Sequence, residues 1–149
     1  MALTPRGARE VAVAALGRRD LSTGALARRL LSAGADAETA RETLDWLVAV
    51  GYVDAARLAR TRAVALAGKG YGNAAIAARL EQEELGQAAR EIAVAELEPE
   101  EERARRTGRQ TAWDGPKALA ALLARRGFCD DSIEAALAAL DAQRDAELR

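Results

Sequence analysis

Residues 25–47 read ALARRLLSAGADAETARETLDWL, residues 75–97 read AIAARLEQEELGQAAREIAVAEL, and residues 118–140 read ALAALLARRGFCDDSIEAALAAL. Placed side by side without gaps, the three blocks share four apolar columns. Leu26, Ile76 and Leu119 form the first and Leu30, Leu80 and Leu123 the second; Leu44, Val94 and Leu137 form the third, and Leu47, Leu97 and Leu140 the fourth. Steps of four and then three residues are the spacing of one helix face, so each block reads as two short helices with a break between them. One column fails: Ala40 and Ile133 are matched in the second block by Arg90. The break carries Gly34 and Gly127, residues suited to a left-handed helix C-terminus, with Glu84 in that column of the second block. Gly86 follows two residues later, which predicts a different turn there. Asp36 and Asp130 stand where the next helix needs an N-cap.

Working outward, a further helix precedes each pair. The first runs over Pro5–Arg18, with Val11 and Ala15, or Val13 and Leu16, at helical spacing. The second is capped by Asp54 and ended by Gly68-Lys69-Gly70-Tyr71-Gly72, before a cap at Asn73. The third starts at Pro99 with Glu100, Glu101 and Glu102 in its first turn and stops near Trp113. The expected architecture is all-α: three tandem three-helix repeats, residues 1–50, 51–97 and 98–149, forming an elongated, curved helical array. Leu44, Leu47, Val48 and Val50 are expected to seal the first repeat against the second.

Composition agrees with an all-helical reading. About a quarter of the 149 residues are alanine, the best helix former and a poor strand former, and only Trp46, Tyr52, Tyr71, Trp113 and Phe128 are aromatic. The chain has no histidine, which excludes histidine-ligated zinc sites and Ser-His or Cys-His catalysis. Its one cysteine, Cys129, can form no internal disulfide. Neither a signal peptide nor a membrane span is visible, so the expected setting is cytoplasmic. We expect no catalytic residue, no cofactor and no metal.

Two chemistry-like motifs dissolve on inspection. Residues 63–70 (AVALAGKG) place glycine and lysine as a phosphate-binding loop does, but Ala63 replaces its first glycine and Gly70 its magnesium-binding hydroxyl. The acidic runs at Glu81, Glu83 and Glu84 and at Glu98, Glu100, Glu101 and Glu102 read as solvated faces and helix starts. The helix-turn-helix outline does not read as a base-recognition element either, because residues 38–42, 87–91 and 131–134 place acids where DNA phosphates would sit.

Charge is distributed unevenly. Residues 1–72 carry eleven basic and seven acidic side chains, and residues 73–149 eleven and sixteen. The basic groups lie on the helices before the turns: Arg18, Arg19, Arg28 and Arg29, then Arg57, Arg60, Arg62 and Lys69. Arg57 and Arg60 share a helix face and Arg62 flanks it, making this stripe the leading candidate for a partner surface.

With these residues in view, the chain resembles the bacterial RecX regulators of the RecA recombinase. The resemblance is carried by Leu16-Gly17-Arg18-Arg19-Asp20-Leu21-Ser22 with Leu26 and Leu30, and by Leu47 with Gly51-Tyr52-Val53-Asp54 and Arg57-Leu58-Ala59. Lys69-Gly70-Tyr71-Gly72 with Ile76 and Leu80, and Ala124-Arg125-Arg126-Gly127-Phe128, complete it. It implies a non-enzymatic, monomeric modulator that lies in the groove of the RecA–DNA filament, spans neighbouring protomers and hinders ATP turnover, strand exchange and filament growth. It thereby implies a place in homologous recombination, DNA repair and the SOS response. The partner-binding residues expected on this reading are Arg57, Arg60, Arg62, Lys69, Tyr71, Arg28, Arg29, Arg125 and Arg126, with DNA contact at most weak and no membrane partner. The chain departs from the family at Ala55 and Ala56, where acidic residues are common, at Leu58, where an aromatic is common, and at Asn73, Ala74, Ala75 and Ala77, where a proline and basic residues are common. The other reading of the same residues is a helical repeat that binds nucleic acid without RecA.

Overall fold

A computed structural model describes residues 2–149. Among the described residues there are nine α-helices and no strand: α1 (Pro5–Arg18), α2 (Thr23–Ser32), α3 (Ala37–Ala49), α4 (Ala55–Gly68), α5 (Asn73–Gln82), α6 (Gln87–Ala95), α7 (Glu100–Gln110), α8 (Pro116–Arg125) and α9 (Asp130–Glu147). No helix is long and apolar enough to cross a membrane.

The first four helices start at side-chain caps. Thr4, Ser22, Asp36 and Asp54 cap α1 to α4, their side chains accepting from the amides of Gly7, Ala25, Thr39 and Arg57. Pro116 opens α8 at a position where a missing N–H costs nothing. Two caps differ from expectation. The residue capping α9 is Cys129 rather than Asp130, which lies in the first turn with Asp131, where both suit the helix dipole. Gly72 caps α5, and Asn73 begins the helix with its side chain engaged elsewhere. α7 also ends earlier than expected, at Gln110; the Trp113 indole turns back to donate to the Gly108 carbonyl at 2.8 Å.

The predicted difference of the second turn is not observed. Glu84 adopts φ +61°, beside +102° at Gly34 and +88° at Gly127, so all three breaks pass through the left-handed region. A side chain there costs on the order of 1 kcal/mol, which glycine avoids. Glu84 is held by the Arg28 guanidinium of α2, whose Nε lies 2.6 Å from its carboxylate.

Buried apolar residues fall into three clusters, each drawn from three consecutive helices. Ala8, Ala12, Leu26, Leu30 and Leu47 belong to the first, Ala59, Ala63, Ile76, Leu80 and Leu85 to the second, and Ala104, Leu119, Leu123, Phe128 and Ile133 to the third. The six residues of the first two repeat columns are all fully buried. Where the repeat fails, Arg90 is half-buried and donates to the Leu85 carbonyl at 2.8 Å, so its polar head has a partner at a position that is apolar in the other blocks.

The leading helices bury mostly small side chains. α1 buries Ala8, Ala12 and Ala15 rather than Val11 or Val13, α4 buries Leu58, Ala59 and Ala63, and α7 buries Ala104 and Gly108. Small side chains let α1, α4 and α7 lie close along α3, α6 and α9. Val48 and Val50, expected to seal the first repeat against the second, are more than half exposed, while Leu47 belongs to the first cluster. The end of α3 is closed instead by Trp46, which packs on Tyr52 with Arg9 above its ring at 4.4 Å.

Candidate partner-binding surface

α4 presents the expected basic side chains on the surface, and the structure sends them in different directions. Arg57 reaches toward Asp20 in the α1–α2 connection at 4.0 Å, Arg60 toward Glu96 after α6 at 3.9 Å, and Arg62 toward Glu83 after α5 at 3.5 Å. Such exposed and loosely spaced pairs each contribute about 0–1 kcal/mol, so their arginines are available to a competing partner. Arg60 and Arg62 line separate clefts. Arg60 shares one of about 370 Å³ with Val64, Leu97, Glu98 and Arg106. Arg62 shares one of about 220 Å³ with Arg19, Asp20, Arg28 and Glu83. Lys69 caps the end of α4 and is exposed. Arg28 and Arg29 project from α2, and Arg125 from the end of α8.

Tyr71 and Arg126 belong to a different structure, the junction between the second and third clusters. The Gly72 amide donates to the Arg126 carbonyl at 2.7 Å and the Ala74 amide to the Gly127 carbonyl at 3.2 Å, so the start of α5 is stitched to the α8–α9 turn. Arg103, only 5% exposed, lies beneath this seam. Its guanidinium donates to the carbonyls of Glu98 at 2.9 Å and Tyr71 at 3.0 Å, and to the Asn73 side-chain oxygen. Glu100 accepts from the amides of Asn73 at 2.7 Å and Cys129 at 2.9 Å, joining the first turns of α5 and α9 through one carboxylate. The ring of Tyr71 is partly exposed at the rim.

Arg103, Asn73 and Glu100 are not among the partner-binding residues expected from the sequence. Glu100 looked like one of three equivalent acids at a helix start. Its helical spacing to Ala104 and Thr107, the buried side of α7, was the signal that only this acid faces inward.

Burial alone would raise the Glu100 carboxyl, but the hydrogen bonds from Cys129, Asn73 and Ser132 outweigh it and hold it below its usual 4.5. Its contribution to stability is therefore complete above pH 4.5 and disappears as pH falls through the lower, folded-state value. Glu100→Gln is expected to lower the midpoint of thermal unfolding at pH 7, and the gap to the unsubstituted protein should narrow as pH falls below 4.5. A gap that stays constant from pH 7 to pH 3 would show that the carboxylate charge is not what the junction uses.

A cleft of about 610 Å³ opens beside the junction, between α5, α6 and the start of α7, walled by Ala74, Ala77, Val94 and Pro99 with Arg90 and Glu91 at its edge. No cluster of three or more metal-ligating side chains is present among the described residues.

Short helices arranged around three successive cores, with basic side chains on the outer faces of α2 and α4, define an all-α fold. That fold is the RecX fold. The crystal structure of RecX from Lactobacillus salivarius matches with a TM-score of 0.85 at 15% identity, covering 93% of this chain and 97% of that one. A crystal structure described as regulatory protein RecX matches with a TM-score of 0.75 at 16% identity, covering 87% of this chain and 71% of that one. No family model matches the sequence, and no curated protein does.

Proposed function

We propose that this protein is a regulator that binds the nucleoprotein filament of a RecA-type recombinase and slows its ATP turnover, strand exchange and extension. The observation that carries the reading is the match to two RecX structures over nearly the whole chain. The sequence resemblance across the Gly51-Tyr52-Val53-Asp54 and Lys69-Gly70-Tyr71-Gly72 motifs supports it independently. In this reading the units 1–50, 51–97 and 98–149 form a curved array along the filament groove, and the protein acts as a cytoplasmic monomer without catalysis of its own. Arg57, Arg60, Arg62 and Lys69 meet the recombinase, with Arg125 extending the surface. The loose pairing of the α4 arginines favours this, because a partner carboxylate replaces an internal one at little cost.

The test is the DNA-stimulated ATPase of the cognate recombinase, titrated with this protein at fixed salt. Inhibition is expected at amounts well below one per protomer, as a protein that bridges or caps a filament requires. Arg60→Glu is expected to shift that titration to higher concentration while leaving helicity unchanged, because Arg60 is half exposed. An ATPase rate unaffected by the unsubstituted protein would refute the reading.

A further inference from the structure

The arginines of α4 each face a carboxylate; those at the corner between α1 and α2 do not all have one. Arg19 and Arg29 form no ion pair among the described residues, and with Arg28 they line a cleft of about 330 Å³ completed by Leu21, Ala25 and Ser32. No carboxylate lines it. Arg28 is oriented by Glu84, which engages its Nε at 2.6 Å. The adjoining cleft shares Arg19, Leu21, Ala25 and Arg28 and extends the basic lining to Arg62, with Asp20 and Glu83 on its walls.

Arg28 is compensated by Glu84, but Arg19 and Arg29 bring two uncompensated guanidinium groups to the same cleft, and an anion placed there meets a surplus of positive charge. Guanidinium matches phosphate in particular, because its planar fork donates two parallel hydrogen bonds to two oxygens. Arg19, Arg28 and Arg29 are exposed, so a single small anion here would compete poorly with water. A polyanion that also occupies the adjoining cleft gains by releasing several counterions at once. No aromatic side chain lines either cleft, which leaves nothing to stack on a base.

We propose that the α1–α2 corner is a contact site for the phosphate backbone of a polynucleotide strand, held by Arg19, Arg28 and Arg29 without regard to base sequence. It goes beyond the filament reading and does not rest on it, since it concerns free protein and free nucleic acid. It also moves the nucleic-acid contact away from the second unit, where Asn73, Ala74, Ala75 and Ala77 offer no charge, to the first.

The experiment is fluorescence anisotropy of a labelled oligothymidylate with the full chain, without recombinase, over a series of salt concentrations. The double variant Arg19→Glu, Arg29→Glu is compared with Arg41→Glu, an exposed charge reversal on α3 outside both clefts. Both are checked for native helicity. Measurable binding at low salt is expected, weakened about tenfold or more in the double variant, with the slope of log affinity against log salt reduced by about 1.4 for two lost single-strand contacts. Arg41→Glu is expected to bind within about twofold of the unsubstituted protein, since a screened, distant charge contributes little. No binding at low salt, or equal losses in the double variant and in Arg41→Glu, would overturn the proposal. Displacement of the oligonucleotide by inorganic phosphate beyond what chloride of equal ionic strength achieves would also overturn it, by showing a site for a free anion.

Discussion

Arg103→Met is expected to destabilise the protein by about 3–5 kcal/mol, the range found when one partner of a buried charged network is removed. Methionine fills a similar volume and keeps the apolar stem, so the change isolates the guanidinium. What it leaves behind is costly: the carbonyls of Tyr71 and Glu98 and the Asn73 oxygen lose their donor at a part-buried site. Nearby Glu100 and Glu98 lose the positive charge that faces them. Arg103→Lys separates charge from geometry, because one ammonium cannot reach three acceptors on different elements. It should fall between the two. Urea unfolding followed by circular dichroism checks the series, and a loss below about 1 kcal/mol for methionine would mean that the junction does not depend on Arg103.

Gly72→Ala is the second large effect. A Cβ at this position would fall on the backbone of the α8–α9 turn, at the Gly127 carbonyl and the Phe128 amide nitrogen, rather than on the end of a flexible side chain. Relief requires the turn to move away, and that breaks the hydrogen bond from the Gly72 amide to Arg126. Crowding of this kind costs about 1–3 kcal/mol, and the lost bond adds to it. The partner surface is equally intolerant: Gly127 has φ +88°, and a Cβ there would stand 2.6 Å from that of Ala75. Gly17→Ala in α1, where a Cβ meets nothing within 4 Å, is the control and should raise stability through helix propensity alone. Equal melting temperatures for Gly72→Ala and the unsubstituted protein would show that the second and third clusters are not joined by backbone contact.

These two residues also mark where sequence reasoning stopped. Columns such as Leu26, Ile76 and Leu119 were legible because a helix that buries one face repeats its apolar residues every three or four positions, and burial follows directly. The caps at Asp36 and Asp54 were legible because their chemistry is local. The face of α1 was misjudged because its buried residues are alanine, which hydrophobic periodicity underweights in a chain so rich in alanine. The pattern Ala8 and Ala12, Ala59 and Ala63, Ala104 and Gly108 repeats at a spacing of four and carried the missing signal.

Partners distant in sequence were the least legible. Arg103 and Tyr71, or Arg28 and Glu84, come from helices and turns far apart in the chain, and no local pattern announces them. Arg103 sits among Arg105, Arg106 and Arg109, where composition alone suggests a solvated helix. For the candidate surface, the sequence located the basic side chains but not their separation into clefts. Arg60 and Arg62 are two residues apart on α4, which turns them to different sides, and the carboxylates they face come from different connections.

The most direct test of the proposed function is binding of the fluorescently labelled protein to preformed recombinase filaments on DNA, measured beside free recombinase and bare DNA at the same salt. The proposed regulator should bind the filament at least about tenfold more tightly than either component, because its groove-length surface meets neighbouring protomers at once and the contacts reinforce each other. Affinity for the filament no greater than for bare DNA would contradict it, and would leave a RecX-like fold working on nucleic acid alone.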